Sequence, residues 1–176
     1  MKPWKINVLK YASRQASTSY LVLRDTHTDP TMEVSYYMWA LTNGDPDETV
    51  IVDVGFTEAL AKERQRTWIC SPAQRLEQIG IDAKRVKHVV VSHLHWDHCG
   101  GYDLFPNATF YIQEKEMAFW TGKYVKYRTF SEPIHVEDIV TYVRLNYDGR
   151  VQFTNGMNDI LPGLRVHHVG GHSAGI

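Results

Sequence analysis

A run of three valines followed at once by closely spaced histidines constrains this chain more than any other feature of its sequence. Residues 89–91 are β-branched and apolar, which predicts a buried β-strand. Residues 92–101 then read Ser-His-Leu-His-Trp-Asp-His-Cys-Gly-Gly. Because His93 and His95 are two residues apart, an extended backbone would point both imidazoles to the same side. The strand is therefore predicted to lead directly into a pair of metal-type ligands.

The second half of this loop adds a carboxylate and a further imidazole. Asp97 and His98 are adjacent, so their side chains diverge and can reach a second point. Gly100 and Gly101 follow, where the backbone must turn or approach another group closely. Imidazole and carboxylate suit zinc, iron or manganese, and a metal with an open coordination position activates water. A polar loop with surface histidines is the alternative, and the dense spacing argues against it.

Two motifs, in this order along the chain, resemble those of a known family. Residues 93–98, with the two glycines that follow, resemble the signature of the metallo-β-lactamase superfamily. Residues 170–175, Gly-Gly-His-Ser-Ala-Gly, resemble the next motif of that family, which supplies another metal-binding histidine. The resemblance covers nearly the whole chain, from the strand near Val50 to the last residues. It implies an α+β fold, the four-layer αββα sandwich made of two similar halves.

The resemblance also implies two divalent metal ions, with zinc expected and iron or manganese as alternatives. The ligands of the first ion would be His93, His95 and His172. Asp97 and His98 would hold the second ion, completed by an aspartate and a histidine that follow the third motif in the family. Spacing alone predicts one metal, so the second ion rests on the resemblance. Asp53 matches a strand-end aspartate that supports the metal loops of the family, and a simple turn-forming role is an equal alternative.

The third motif lies close to Ile176, so we expect that a C-terminal part of the family domain is missing from this chain. Residues 1–176 are interpreted as one metallo-β-lactamase-like domain, comprising the N-terminal half and the third metal motif. Without its partner strands and helical layer, one face of a sheet would be exposed. An inactive fragment that lacks the remaining ligands is the non-enzymatic alternative.

The expected reaction is hydrolysis of an ester-like bond by a metal-bound hydroxide. Metal binding lowers the pKa of water strongly, to roughly 7 in favourable zinc sites. Asp97 would bind a metal and either orient the hydroxide or pass a proton to the leaving group, which makes it the candidate catalytic residue.

Within the superfamily, the chain looks most like the N-acyl homoserine lactonase branch, whose members act in quorum quenching. Trp96 inside the first motif, Phe-Pro-Asn-Ala at 105–108, and Gln113 with Glu116 three residues later carry this resemblance. In that branch the aromatic residue at the position of Trp96 lines the acyl-chain pocket. Phe56 and Trp68 are predicted to add to the same wall, with core packing as the alternative.

Other members of the superfamily remain as alternatives. A glyoxalase II-like thioesterase would use the same motif on a thioester, and activity on lactones or on thioesters would separate the two. A diiron redox enzyme is less favoured, because that branch usually carries Glu where His95 stands. An RNA-processing nuclease is disfavoured because the sequence shows no basic patch with interleaved aromatic residues.

The composition suits an ordinary soluble globular protein, and the family resemblance implies a small-molecule substrate. The chain has 176 residues, of which 43% are hydrophobic and 22% charged, with a net charge of -1. This charge gives no reason to expect a nucleic-acid or membrane partner, while a homodimer is compatible with it. No secretory signal is visible, and Cys70 and Cys99 form no disulfide framework, so a cytoplasmic location is expected.

Local patterns predict the order of secondary-structure elements. Strands are predicted over residues 4–14, 19–24, 35–42, 49–54, 88–91, 108–112, 151–153, 157–161 and 164–169. Residues 25–33 are predicted as a loop. Helices are predicted over residues 72–78, where Ser71 and Pro72 form a start signal, and over 113–121. Residues 136–145 are amphipathic, and either a lid over the site or a peripheral helical layer would account for them.

Overall fold

The computed structural model describes residues 3–22 and 31–176. Within these residues, seven strands form one sheet in the order β4-β1-β2-β3-β5-β6-β7. These strands are β1 Lys5–Ser17, β2 Thr31–Thr42, β3 Val50–Val52, β4 Thr67–Trp68, β5 His88–Val90, β6 Thr109–Gln113 and β7 Val151–Thr154. A separate antiparallel hairpin consists of β8 Met157–Leu161 and β9 Leu164–His167.

Helices are short except for the last one. They are α1 Thr18–Leu21, α2 Glu58–Glu63, α3 Pro72–Glu77, α4 Trp96–Cys99, α5 Glu114–Trp120, α6 Arg128–Ser131 and α7 Val136–Tyr147. The start of α3 follows from local sequence: Ser71 and Gln74 form a capping box, and Pro72 occupies the first turn, where it needs no backbone donor. Among the helices of the described residues, none is long and apolar enough to cross a membrane.

The sheet is mixed, and its parallel half determines where the site lies. β1, β2, β3 and β4 are joined by antiparallel pairing. β5 pairs in parallel with β3 and β6, and β6 pairs in parallel with β7. Parallel strands end at the same edge of a sheet, so the residues after Val52, Val90 and Gln113 meet there. The first metal-type motif begins at this edge.

The main core lies on one face of this sheet. Its fully buried members come from the strands and from helices α3 and α7, and they include Met38, Ile51, Leu76, Val89, Phe110 and Tyr142. The other face of β1 is open: Ile6 is 63% exposed and Val8 57%. Side chains two apart on a strand share a face, so the two residues form one exposed apolar strip.

The mixed layered fold is confirmed, and most predicted elements are present within a few residues of their expected ends. Two assignments were wrong. Residues 19–21 belong to helix α1 rather than to a strand, and β1 pairs with β2 instead. Residues 31–33, predicted as loop, are the first residues of β2. Short polar segments with Ser, Thr and Tyr fit either state, so the long-range pairing of β1 with β2 decides. Residues 23–30 lie outside the described part of the chain.

Candidate metal centre

The first motif continues from the end of β5 at the carboxyl edge of the parallel strands. The backbone N of Val91 donates to the Tyr111 carbonyl oxygen at 3.0 Å, which extends the strand direction by one residue. The chain then enters α4, whose N-cap residue is His95. His93 and His95 are both buried, and their ring centroids lie 4.5 Å apart. The two imidazoles are therefore neighbours at this edge.

His172 reaches this pair from the loop after β9. Gly170 and Gly171 precede it with φ of +73° and +104°, a left-handed backbone that favours glycine. The His172 ring centroid is 4.9 Å from that of His93 and 4.7 Å from that of His95. One ligand atom from each of these residues, here called the histidine triad, fits within a mutual distance of 4.8 Å. Ligand atoms of a tetrahedral zinc ion are about 3.4 Å apart, so small side-chain rotations would close the triad on an ion.

The hydrogen bonds around His93 leave one ring nitrogen available. Its Nδ1 is 3.0 Å from Ser92 Oγ, and Ser92 Oγ donates to Asp53 Oδ2 at 2.9 Å. Because the serine hydroxyl carries a single proton, His93 Nδ1 must be the donor to Ser92, which leaves the lone pair on Nε2. Nε2 is buried and has no hydrogen-bond partner among the described residues. A buried imidazole lone pair without a partner fits a metal ligand.

Burial also favours the form of the imidazoles that binds metals. Burial, and then the charges of the neighbouring histidines, lower the pKa of His93 to about 2. Burial, followed by the charges of His172 and His98, lowers the pKa of His95 to about 4. Both rings are therefore neutral at neutral pH, and neither has to lose a proton before it coordinates an ion.

Asp97 and His98 lie beside the triad and face each other. Asp97 Oδ2 is 3.6 Å from His98 Nε2, close to the spacing of two ligands on one ion. The His98 ring centroid is 4.0 Å from that of His93. Over residues 3–22 and 31–176, this pair has no third side chain that would complete a metal-binding group. The structure thus brings the side chains of the five predicted ligands together. His93, His95 and His172 form the histidine triad, and Asp97 and His98 lie beside it.

Asp53 connects the end of β3 to the metal loop. It has φ of +62°, which is unusual for a residue with a Cβ. Its carboxylate accepts hydrogen bonds from Ser92 N and from His98 Nδ1, each at 2.8 Å. Burial lowers the pKa of His98, but the hydrogen bond and charge of Asp53 and the charge of Asp97 raise it overall. Asp53 therefore both shapes the turn and orients the His98 ring, so that its Nε2 faces Asp97 Oδ2.

A cavity of about 990 Å³ opens beside the triad. His95, Asp97 and His172 are part of its lining. The other walls carry mainly aromatic and cationic side chains, among them Arg14, Tyr36, Arg64, Arg66, Trp96, Phe119, Trp120 and Phe130. The volume is that of a small-molecule site, and the candidate metal ligands border it.

Trp96 lines the cavity, whereas Phe56 and Trp68 do not. The Trp96 side chain is only 7% exposed, because Phe56 packs against it with 4.8 Å between ring centroids. Phe56 and Trp68 lie in the same aromatic cluster, 5.9 Å apart. Gly55 pairs with the backbone of Cys99 in α4, which directs the segment after Asp53 into the interior. The expectation that Phe56 and Trp68 form the pocket wall is thus corrected to core packing behind Trp96.

One wall of the cavity is held by Arg64, a residue that sequence reasoning missed. Its Nη1 and Nη2 donate to the carbonyl oxygens of Glu132 and Ile134 at 3.5 and 3.2 Å. Trp96 N donates to the Pro133 carbonyl oxygen between them at 3.0 Å. The carbonyl oxygens of three consecutive residues between α6 and α7 therefore accept hydrogen bonds, two from Arg64 and one from Trp96 in the metal loop. The partners lie far apart in sequence, so no local pattern could have identified the contact.

The segment between the two motifs divides into two parts. Helix α7 packs into the core through Ile139, Tyr142 and Leu145, and the Tyr142 hydroxyl donates to the Cys99 carbonyl oxygen at 3.1 Å. It is therefore a helical layer. The preceding residues around α6 line the cavity instead, through Thr129, Phe130, Glu132 and Pro133.

The sequence is similar to those of known proteins. Residues 28–176 match the Metallo-beta-lactamase superfamily, so the chain belongs to that family. The N-acyl homoserine lactonase AttM of Azorhizobium caulinodans is 34% identical over 87 residues, which are 42% of this chain and 33% of the relative. The N-acyl homoserine lactonase AiiA of Bacillus thuringiensis subsp. kurstaki is 29% identical over 102 residues, 57% of this chain and 34% of the relative. The matches span about a third of the length of these curated relatives.

Solved structures show the same fold. A quorum-quenching N-acyl homoserine lactone lactonase superposes with a TM-score of 0.73 at 19% identity, covering 99% of this chain and 67% of that chain. AidC, a dizinc quorum-quenching lactonase bound to its product, gives 0.74 at 17% identity, covering 98% and 65%. This chain therefore has the metallo-β-lactamase fold and spans about two thirds of the length of these structures.

Proposed function

We propose that this chain forms the catalytic core of a metal-dependent hydrolase that opens lactone rings, with N-acyl homoserine lactones as the substrate class. The convergence of His93, His95 and His172 beside a cavity that Asp97 also lines carries the proposal. Relatives named as N-acyl homoserine lactonases support the choice of a lactone within the superfamily.

Two divalent metal ions, with zinc proposed, complete the site. The histidine triad would hold one ion, and Asp97 with His98 would contribute to the other. Ions in these positions would supply a water activated for attack near neutral pH and would polarise the lactone carbonyl. The unpartnered His93 Nε2 supports the first position, and the dizinc relative AidC supports the choice of zinc.

Asp97 is the proposed catalytic residue. Its carbonyl oxygen accepts a hydrogen bond from the Tyr11 hydroxyl at 3.2 Å, so the backbone position is fixed independently of the side chain. The side chain is 26% exposed and lines the cavity. A carboxylate held there can orient the attacking water and then pass its proton to the ring oxygen that leaves the lactone carbonyl.

The substrate's acyl chain would lie against the aromatic part of the cavity lining. Phe119 and Phe130 pack edge to face, with ring centroids 5.6 Å apart. Trp120 directly follows Phe119 in α5 and also lines the cavity. Trp96 would contribute only an edge, because most of its ring is enclosed. Aromatic side chains of this kind provide apolar contact area for a flexible chain.

Turnover of matched substrate panels tests the proposal. The longest natural form of the protein, supplied with zinc, is expected to hydrolyse N-acyl homoserine lactones and to act poorly on thioesters with the same acyl chains. A chelator should abolish activity, and added zinc should restore it. Preference for the thioesters would indicate the glyoxalase II-like alternative. A metal-loaded protein without activity on either panel would refute the hydrolase assignment.

Replacing Arg64 with alanine is expected to raise KM about tenfold while changing kcat less. The change removes the donors to Glu132 O and Ile134 O and so loosens a cavity wall, while the candidate metal ligands stay in place. Losing a contact that is equally strong in the ground state and in the transition state raises KM and leaves kcat unchanged. Steady-state kinetics checks this, with Lys62→Ala as the matched control, because Lys62 is exposed and lies in α2, which ends directly before Arg64. An unchanged KM, or an equal loss in kcat, would show that the wall does not bind substrate.

A further inference from the structure

Glu116 is a completely buried carboxylate for which the proposed reaction has no use. It lies in α5 and is 0% exposed. Burying a carboxylate is costly unless its oxygens are well paired. All of the partners of Glu116 in the described residues are hydrogen-bond donors from the site region, and they fall into two sets.

Each oxygen of the Glu116 carboxylate accepts a hydrogen bond from one of the two metal motifs. Oε1 accepts from the backbone N of Leu94 at 2.8 Å and from Trp120 Nε1 at 2.6 Å. Oε2 accepts from Ser173 Oγ at 2.9 Å and from the backbone N of Gly175 at 2.7 Å. Leu94 stands between His93 and His95, and Ser173 directly follows His172. One rigid group therefore connects the two loops that carry the triad.

The fit between Glu116 and the second loop is tight. A Cβ at Gly175 would overlap the Glu116 backbone and Cβ, so the loop rests directly on the start of α5. Otherwise this loop is tied mainly to itself: Val169 N and Gly170 N both donate to the Ile176 carbonyl oxygen. In the described residues, no hydrogen bond runs directly from residues 92–98 to residues 170–176. Glu116 is thus the polar link between the loops.

We propose that Glu116 is a positioning residue that sets the distance between the two ligand loops and thereby the affinity for the metal ion of the triad. The inference rests on the proposed metal-dependent function. A carboxylate suits this task because its two equivalent acceptors can serve two sets of donors at a fixed separation. Outer residues that orient metal ligands typically change metal affinity 10- to 100-fold when they are replaced.

Glu116→Gln tests the inference with almost no change in volume. An amide has one acceptor oxygen, so in either orientation its NH2 group faces the donors of one loop. Zinc affinity, measured by competition with a chromophoric chelator, is expected to fall about 10- to 100-fold. Glu114→Gln is the matched control, because Glu114 lies on the same helix with its side chain exposed, and its zinc affinity should equal that of the wild type.

A second pair of measurements separates positioning from general stability. In a His172→Ala background the spacing of the loops no longer matters to the ion, so Glu116→Gln should change zinc affinity less than about threefold. An equal loss in both backgrounds would overturn the inference. If Glu116→Gln does not fold, Ser173→Ala removes one donor to Oε2 and should weaken zinc binding severalfold, and unchanged binding would overturn the inference. Absence of zinc binding by the wild type would instead refute the proposed function.

Discussion

Replacing Asp97 with alanine is expected to lower kcat/KM for a lactone by about 10³-fold or more. A positioned acid or base contributes about 10²- to 10⁴-fold, and this carboxylate is also a proposed ligand of the second ion. The fold should survive, because the contact that fixes this position, Tyr11 hydroxyl to Asp97 carbonyl oxygen, involves only the backbone of Asp97. Kinetics together with circular dichroism and zinc analysis would measure the three effects separately.

Asp103→Ala is the matched control for this loss. Asp103 follows the same loop, and its side chain is exposed, so kcat/KM should stay within about twofold of the wild type, as for most surface substitutions. Asp97→Asn keeps the size of the side chain and removes its charge, and should be nearly as inactive as the alanine variant. If either Asp97 variant, at full zinc content, kept kcat/KM within tenfold of the wild type, Asp97 would take no part in the reaction.

Replacing Gly101 with alanine is expected to destabilise the protein by about 3 kcal/mol or more. A Cβ at this position would overlap the Val54 carbonyl oxygen, which is backbone and cannot rotate away. Gly100 N and Gly101 N also donate to the Gly55 carbonyl oxygen at 2.7 and 3.2 Å, so the two segments cannot separate without losing both bonds. For a chain of this length the loss corresponds to a fall in Tm of about 6–12 °C.

Gly44→Ala separates lack of space from backbone strain. Gly44 has φ of +89°, but a Cβ there would meet nothing within 4 Å, so its cost should be about 1–2 kcal/mol. Gly101 has φ of -92°, which any residue adopts, so its larger cost would come from the close approach alone. Thermal or urea unfolding of both variants measures the difference. If Gly101→Ala lowered the free energy of unfolding no more than Gly44→Ala, the close approach of Gly101 to Val54 would not constrain the metal loop.

The parts of this fold that were predictable are those with a local cause. The strand at Val89 and Val90 follows from β-branched residues, and helix α3 follows from its capping box. Asp53 could be noticed because it ends a predicted strand two residues before a glycine. Its double role as turn former and partner of His98 depends on a contact 45 residues away in sequence. The close approach at Gly101 was one of two local alternatives for the paired glycines.

What could not be predicted depends on contacts between distant segments. Arg64 reaches the connection between α6 and α7, and Glu116 reaches loops on either side of it in sequence. Neither contact leaves a periodic or spaced signal. Phe56 was placed in the pocket wall because an aromatic residue near the site suits either pocket or core. Its burial among Tyr11, Tyr36 and Trp96, which come from other parts of the chain, shows the core position.

Anomalous diffraction at the zinc edge, from crystals grown with zinc, tests most directly whether the two motifs form one metal centre. We predict a strong peak about 2.0–2.1 Å from one ring nitrogen each of His93, His95 and His172, with His93 contributing Nε2. A peak that leaves out His172, or no peak between the three rings in a protein that contains zinc, would contradict the account.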